Sequence, residues 1–128
     1  MKEAYRTEKA PAAIGPYSQA VRAGDFVYVS GQLPIDPASG SFSGEDIASQ
    51  TRQSLTNIQN ILAAAGLTMD DVVKTTVLLK NMNDFSRMNE EYARFFTGVC
   101  PARAAFEVSA IPRAALVEIE AVAYCGEK

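Results

Sequence analysis

Leu116-Val117-Glu118-Ile119-Glu120-Ala121-Val122-Ala123-Tyr124 is the stretch that decides how this chain folds. It is rich in β-branched residues and predicts a strand. Side chains alternate along a strand, so Val117, Ile119, Ala121 and Ala123 share one face. Glu118 and Glu120 share the other with Leu116, Val122 and Tyr124. Two carboxylates on an otherwise apolar strand face admit two readings. The face is solvated and tolerates them, which alternation alone favours; or another subunit covers it, and burial then raises a glutamate's pKa and makes it a candidate base.

Outward from this strand the chain alternates in period. Cys100-Pro101 resets it into a strand over Arg103–Ser109. Before that, Phe85, Met88, Tyr92, Phe95 and Phe96 form a helical stripe, with Asn81 or Asn83 as N-cap and Gly98 as its close. Val72–Leu79 reads as a second strong strand. A longer helix precedes it, with Ile47, Leu55, Ile58, Ile61, Leu62 and Ala65 on one face and Gly66 as C′ residue. Ser43-x-x-Asp46 resembles a capping box in which Asp replaces the usual Glu or Gln. The turn-rich segment Gly31–Gly44 is the longest candidate loop. Asp25–Ser30 is a strand, joined through a Gly24-Asp25 hairpin turn to Ser18–Ala23. Strands, helix, strand, helix, strands predicts an α+β fold with two helices on one face of a mixed sheet. The other face would leave apolar residues in water, so self-association is expected.

At 128 residues the chain predicts one domain, 1–128, able to bury roughly two-thirds of its unfolded surface. With 48% hydrophobic and 21% charged residues it can build a core without disulfides or metals. There is no histidine, so a Ser-His-Asp triad and a His-ligated metal site are both out of reach, and acid–base work falls to carboxylates, Lys, Tyr, Cys or water. A metal site built from carboxylates alone is left open, and no clustered pattern suggests one. Cys100 and Cys125 match no zinc spacing, and free thiols are expected over a disulfide. The net charge of −3, with no two basic residues adjacent, argues against nucleic acid as a partner. No apolar run approaches the ~20 residues of a membrane span, and the first residues lack a signal-peptide stretch. A cytoplasmic protein is expected.

Few segments offer chemistry. Arg103 opens a strand beside the small Ala104 and Ala105, which leave room around a guanidinium able to grip a carboxylate through two parallel hydrogen bonds. A surface or ion-paired arginine is the plainer reading of that residue alone. Gly15-Pro16-Tyr17-Ser18 and Ser30-Gly31 place hydroxyls near backbone amides, and each taken singly reads as a turn.

Together these segments resemble the RidA (YjgF) family of reactive-intermediate deaminases. The resemblance is carried by Gly15-Pro16-Tyr17-Ser18-Gln19-Ala20, Val29-Ser30-Gly31-Gln32, Asn89 with Tyr92, Pro101-Ala102-Arg103, Glu107-Val108 and Val117-Glu118-Ile119-Glu120-Ala121, in family order. It implies a chorismate-mutase-like fold, assembled as a homotrimer with a central barrel-like core and clefts between subunits. It also implies cofactor-free hydrolysis of enamines and imines such as 2-aminoacrylate, that is, a 2-iminobutanoate/2-iminopropanoate deaminase releasing a 2-keto acid and ammonia. By the same resemblance Arg103 holds the substrate carboxylate and Glu118 positions or deprotonates the attacking water. Tyr17, Ser30 and Asn89 line the cleft, and the backbone at Gly31 and Ala105 contacts the substrate. Many members carry Cys where this chain has Ala105, which widens the cleft and leaves substrate preference open. Phe106, bulkier than the Val often found there, is expected in the core. The competing readings are a non-catalytic trimer that senses keto acids, and the endoribonuclease or translation-inhibitor role given to some members.

Overall fold

The computed structural model describes residues 1–127. Six strands form one sheet in the order β1 (Lys2–Tyr5), β2 (Ala20–Ala23), β3 (Phe26–Gln32), β8 (Val117–Tyr124), β6 (Val72–Leu79) and β7 (Ala102–Glu107). All neighbours are antiparallel except β6 and β7, which are parallel, so the sheet is mixed as expected. A parallel pair needs a crossover. Here α2 (Phe85–Tyr92) supplies it, between short 3-10 turns at Met82–Asp84 and Ala93–Phe95. β4 (Ile35–Asp36) and β5 (Ser41–Phe42) form a small hairpin inside the loop that leads to α1 (Ile47–Ala64).

Both helices lie on one face of the sheet. Val27, Val29, Val77, Leu79, Val117, Ile119, Ala121 and Ala123 are buried beneath them, with Leu55, Ile58, Ile61 and Leu62 of α1, Met88 and Tyr92 of α2, and Phe96 just past the second helical run. Each fully buried Leu or Ile contributes about 2 kcal/mol of transfer free energy, so this layer is the main source of stability. Buried polar residues sit on α1 within the same layer. The Asn57 amide donates to the Leu33 and Ile35 carbonyls at 3.1 and 3.0 Å, and the Gln50 side chain donates to the Gly44 carbonyl and accepts from the Leu116 amide. They tie the 33–44 loop to the helix that follows it.

Several local expectations shift. Asp46, not Ser43, caps α1: its carboxylate accepts from the Ser49 amide at 3.1 Å and the Ser49 hydroxyl at 2.6 Å. The other end is as read, with Gly66 at φ +76° and the Leu67 amide donating to the Leu62 carbonyl, a Schellman closure. The Gly24-Asp25 turn holds too, with Ala23 opposite Phe26 and Gly24 at φ +61°. Gly98 closes nothing: the second helical run ends at Phe95 and Gly98 has no positive φ. The strand expected over Arg103–Ser109 spans Ala102–Glu107. Phe106 is 46% exposed, outside the core, because Leu78, its partner on β6, points away from the helices. The edge strand β1 was not foreseen; its polar residues carry little strand signal. Cys100 and Cys125 are free thiols.

The second sheet face is open. Phe26 and Tyr28 (50% exposed) stand on it with the half-buried Leu78, Val122 and Tyr124 and the exposed Phe106. No helix among the described residues is long and apolar enough to cross a membrane.

Candidate active site

β7 is the sheet's outermost strand and is exposed at almost every position. Arg103 pairs in register with Thr75 of β6, whose side chain is buried toward the helices, so Arg103 points to the helix side. There α2 meets it. Its Nη1 donates to Asn89 Oδ1 at 2.7 Å. The guanidinium lies over the rings of Tyr92 and Phe85, 4.8 and 5.5 Å from their centroids. Ala105, two residues on, pairs with Val77 and faces the same way, half-buried. Arg103, Asn89 and Ala105 thus form one cluster.

Glu118 belongs to a second. It pairs with Leu78 on the open face of the sheet. Between Val29 and Gln32, β3 spends three residue steps against the two from Ala121 to Ile119 on β8, so Ser30-Gly31 forms a bulge beside Glu118. A Cβ at Gly31 would stand 3.1 Å from Glu118 Cδ and 3.3 Å from its Cγ; the carboxyl occupies the space the glycine leaves open. Burial first, and the Glu120 charge second, raise the Glu118 pKa above its ordinary value. Glu120 itself is exposed. The Ser30 hydroxyl donates to the Ser18 carbonyl at 2.6 Å, which ties the bulge to the turn carrying the exposed Tyr17. Gly15 in that turn has φ +120°, a conformation open to glycine. The buried Gln19 side chain anchors the turn from the other side, donating to the carbonyls of Thr7, Ala10 and Pro11.

One chain does not bring the two clusters together. Arg103 and Glu118 are two strands apart and three register positions apart, about 10 Å in each direction, and they project from opposite faces. A groove of about 660 Å³ lies between the N-terminal segment and the 35–40 loop and includes Tyr17 alone of the candidate residues. The sequence presents Phe85 as core stripe only, and Tyr92 as core stripe and, with Asn89, part of the family resemblance, with no role at the site. Their second role was signalled by a polar Asn89 set between them, four residues after one and three before the other. No group of three or more metal-ligating side chains occurs among the described residues.

Comparison with known proteins sets these clusters in context. The Endoribonuclease L-PSP family profile matches residues 7–125. A RutC family protein of Pyrococcus horikoshii is 56% identical over 124 residues, covering 97% of this chain and 98% of the relative. The 2-iminobutanoate/2-iminopropanoate deaminase of Mus musculus is 50% identical over 126 residues, covering 98% and 93%. The crystal structure of E. coli TdcF with bound serine superimposes with a TM-score of 0.93 at 39% identity, covering 97% of this chain and 99% of that one.

Proposed function

Because the chain belongs to the Endoribonuclease L-PSP family, which is also the RidA, YjgF or RutC family, we propose that it is a 2-iminobutanoate/2-iminopropanoate deaminase. Its sheet with two helices on one face is the chorismate-mutase-like fold of that family. The observation that carries the reading is a pair of groups: a guanidinium fixed in place, and a half-buried carboxyl with raised proton affinity.

The chemistry asks for little more. A 2-imino acid has a carboxylate beside an electrophilic C=N carbon. Arg103 grips the carboxylate through parallel hydrogen bonds and so sets where that carbon stands. Glu118 accepts a proton from a water as its oxygen attacks the carbon. That proton passes to nitrogen, giving a carbinolamine. Its hydroxyl then yields the water's second proton, which also reaches nitrogen; the C=O bond forms as the C–N bond breaks, and the 2-keto acid and ammonia leave. An enamine such as 2-aminoacrylate enters as its imine tautomer. Gly31 and Ala105 present backbone to the substrate, while Tyr17, Ser30 and Asn89 line the cleft. No step calls on a cofactor. Serine, bound in the related TdcF, carries the same carboxylate and α-nitrogen.

Because the two clusters lie on opposite faces, the reading places each site between copies of the chain, Arg103 from one and Glu118 from the next. A homotrimer, ring-closed through its open sheet faces, supplies three such sites and covers Tyr28, Phe106 and Val122. The reading places the protein in the cytoplasm, where enzymes that release these imines work. The chain has no histidine and a net charge of −3, which lends RNA cleavage no support.

The test couples purified protein to a serine or threonine dehydratase and follows keto-acid release, with semicarbazide trapping the imine that remains. Faster release with less trapped imine supports the deaminase. An unchanged rate with several amino-acid substrates would sink it and leave a trimer that only binds keto acids.

A further inference from the structure

The seat of Arg103 goes beyond a single hydrogen bond. An arginine on an edge strand pays a large rotamer entropy to hold one pose, and among the described residues no strand flanks β7 on its outer side to restrain it. What restrains it is one face of α2: Phe85, Asn89 and Tyr92 recur at helical spacing beneath the guanidinium. Asn89 accepts from Nη1, while the guanidinium carbon stands over both rings.

The Tyr92 ring is itself held. Its hydroxyl shares a hydrogen bond of 2.7 Å with Thr75 Oγ1, on the residue that pairs with Arg103 across β6 and β7. Thr75 is 1% exposed and Tyr92 7%. Phe96 packs against the ring, centroid to centroid 4.7 Å. Burial raises the Tyr92 pKa, so the hydroxyl stays neutral and the ring keeps a full quadrupole near neutral pH. The ring is a fixed plate, locked to the strand next to the one carrying Arg103.

We infer that Tyr92 is a positioning residue: its ring, locked through Thr75, holds the plane of the Arg103 guanidinium so that the edge not taken by Asn89 faces the substrate carboxylate. The inference rests on the function proposed above only in that Arg103 meets a carboxylate. Tyr92 touches no substrate and transfers no proton.

The experiment compares Tyr92→Leu, which removes the plate, with Tyr92→Phe, which keeps it. Two readouts are taken by NMR on the intact protein: the Arg103 Nε–Hε signal, and the Kd for 2-ketobutyrate by titration. In Tyr92→Leu the Nε–Hε signal should move toward that of a solvent-exposed arginine and affinity should fall about tenfold, the scale of a cation–π contact. Tyr92→Phe keeps the ring but frees it from Thr75, so the signal should move less than in Tyr92→Leu and Kd should stay within about threefold. In an Arg103→Ala background, Tyr92→Leu should weaken binding no further, since the plate acts only through the arginine. An unmoved Arg103 signal with unchanged Kd in Tyr92→Leu would overturn the inference, as would equal weakening with and without Arg103. If Tyr92→Leu does not fold, Tyr92→Met, which reaches further into the space and also lacks the ring, takes its place with the same readouts and the same expected outcome. Turnover enters neither readout, so a wild type inactive on imines would overturn the deaminase while these signals still decide the plate.

Discussion

Arg103 and Glu118 project from opposite faces of one sheet, the guanidinium toward the helices and the carboxyl toward the open side. No rotamer change brings them together, because the sheet lies between. A reaction needing both draws them from different copies.

Complementation follows directly. Arg103→Ala and Glu118→Gln should each lose most deaminase activity when pure. Unfolded together and refolded as a mixture of equal parts, they should regain about a quarter of wild-type activity, since that share of interfaces joins an intact arginine to an intact glutamate. Keto-acid release in the dehydratase-coupled assay reads the recovery. A mixture as inactive as its parts would mean that the site is not shared.

Arg103→Lys should not rescue the loss. Lysine keeps the charge but not the planar fork that binds a carboxylate edge-on and is held over Tyr92 and Phe85. Its KM should rise about tenfold or more over wild type. A KM equal to wild type would show that charge alone suffices.

How far the sequence foretold these features depends on where the signal resides. Strand alternation placed Ile119 inward and Glu118 outward, as found, because that pattern is local. It did not show that Arg103 falls on the other face: that follows from the pairing of Arg103 with Thr75, a register that no single segment carries. The helix stripes located the core, but the periodicity of apolar residues passed over Asn57 and Gln50, whose buried side chains bind part-buried carbonyls of the loop. Ser43 was read as a cap from spacing, whereas the carboxylate of Asp46 offers Ser49 two bonds at once. Phe106 was assigned to the core by size, and strand parity placed it outside.

Asn57→Ala should destabilise the chain by about 2–4 kcal/mol in urea unfolding, since it strands the Leu33 and Ile35 carbonyls in a part-buried setting. The Asn57 side chain is fully buried and also accepts from the Gln53 amide, so no water readily replaces it. A loss below about 0.5 kcal/mol, the level of an ordinary surface change, would show that the loop finds other partners.

Gly31→Ala tests the close approach at the bulge. The new methyl would occupy space held by the Glu118 carboxyl, and the end of a side chain moves more readily than a strand. Stability should therefore change little while turnover falls about tenfold or more, because the carboxyl is displaced from the attacking water. A variant with normal kcat would detach Glu118 from the chemistry.

The raised Glu118 pKa sets two pH dependences with definite signs. As a base it acts ionised, so the acid limb of kcat/KM should lie above the ordinary 4.5 of a glutamate. Glu120→Gln should move that limb to lower pH, because it removes the second cause of the shift and leaves burial, the first. Stability runs the other way. A carboxyl whose folded pKa exceeds its unfolded one favours the fold below the unfolded value, and that contribution disappears as pH rises through the folded value. Glu118→Gln should therefore raise Tm at pH 7 relative to wild type and lose that advantage near pH 4. Thermal unfolding at the two pH values reads it. An advantage equal at both would mean that ionisation of Glu118 costs the fold nothing, and that its carboxyl is an ordinary one.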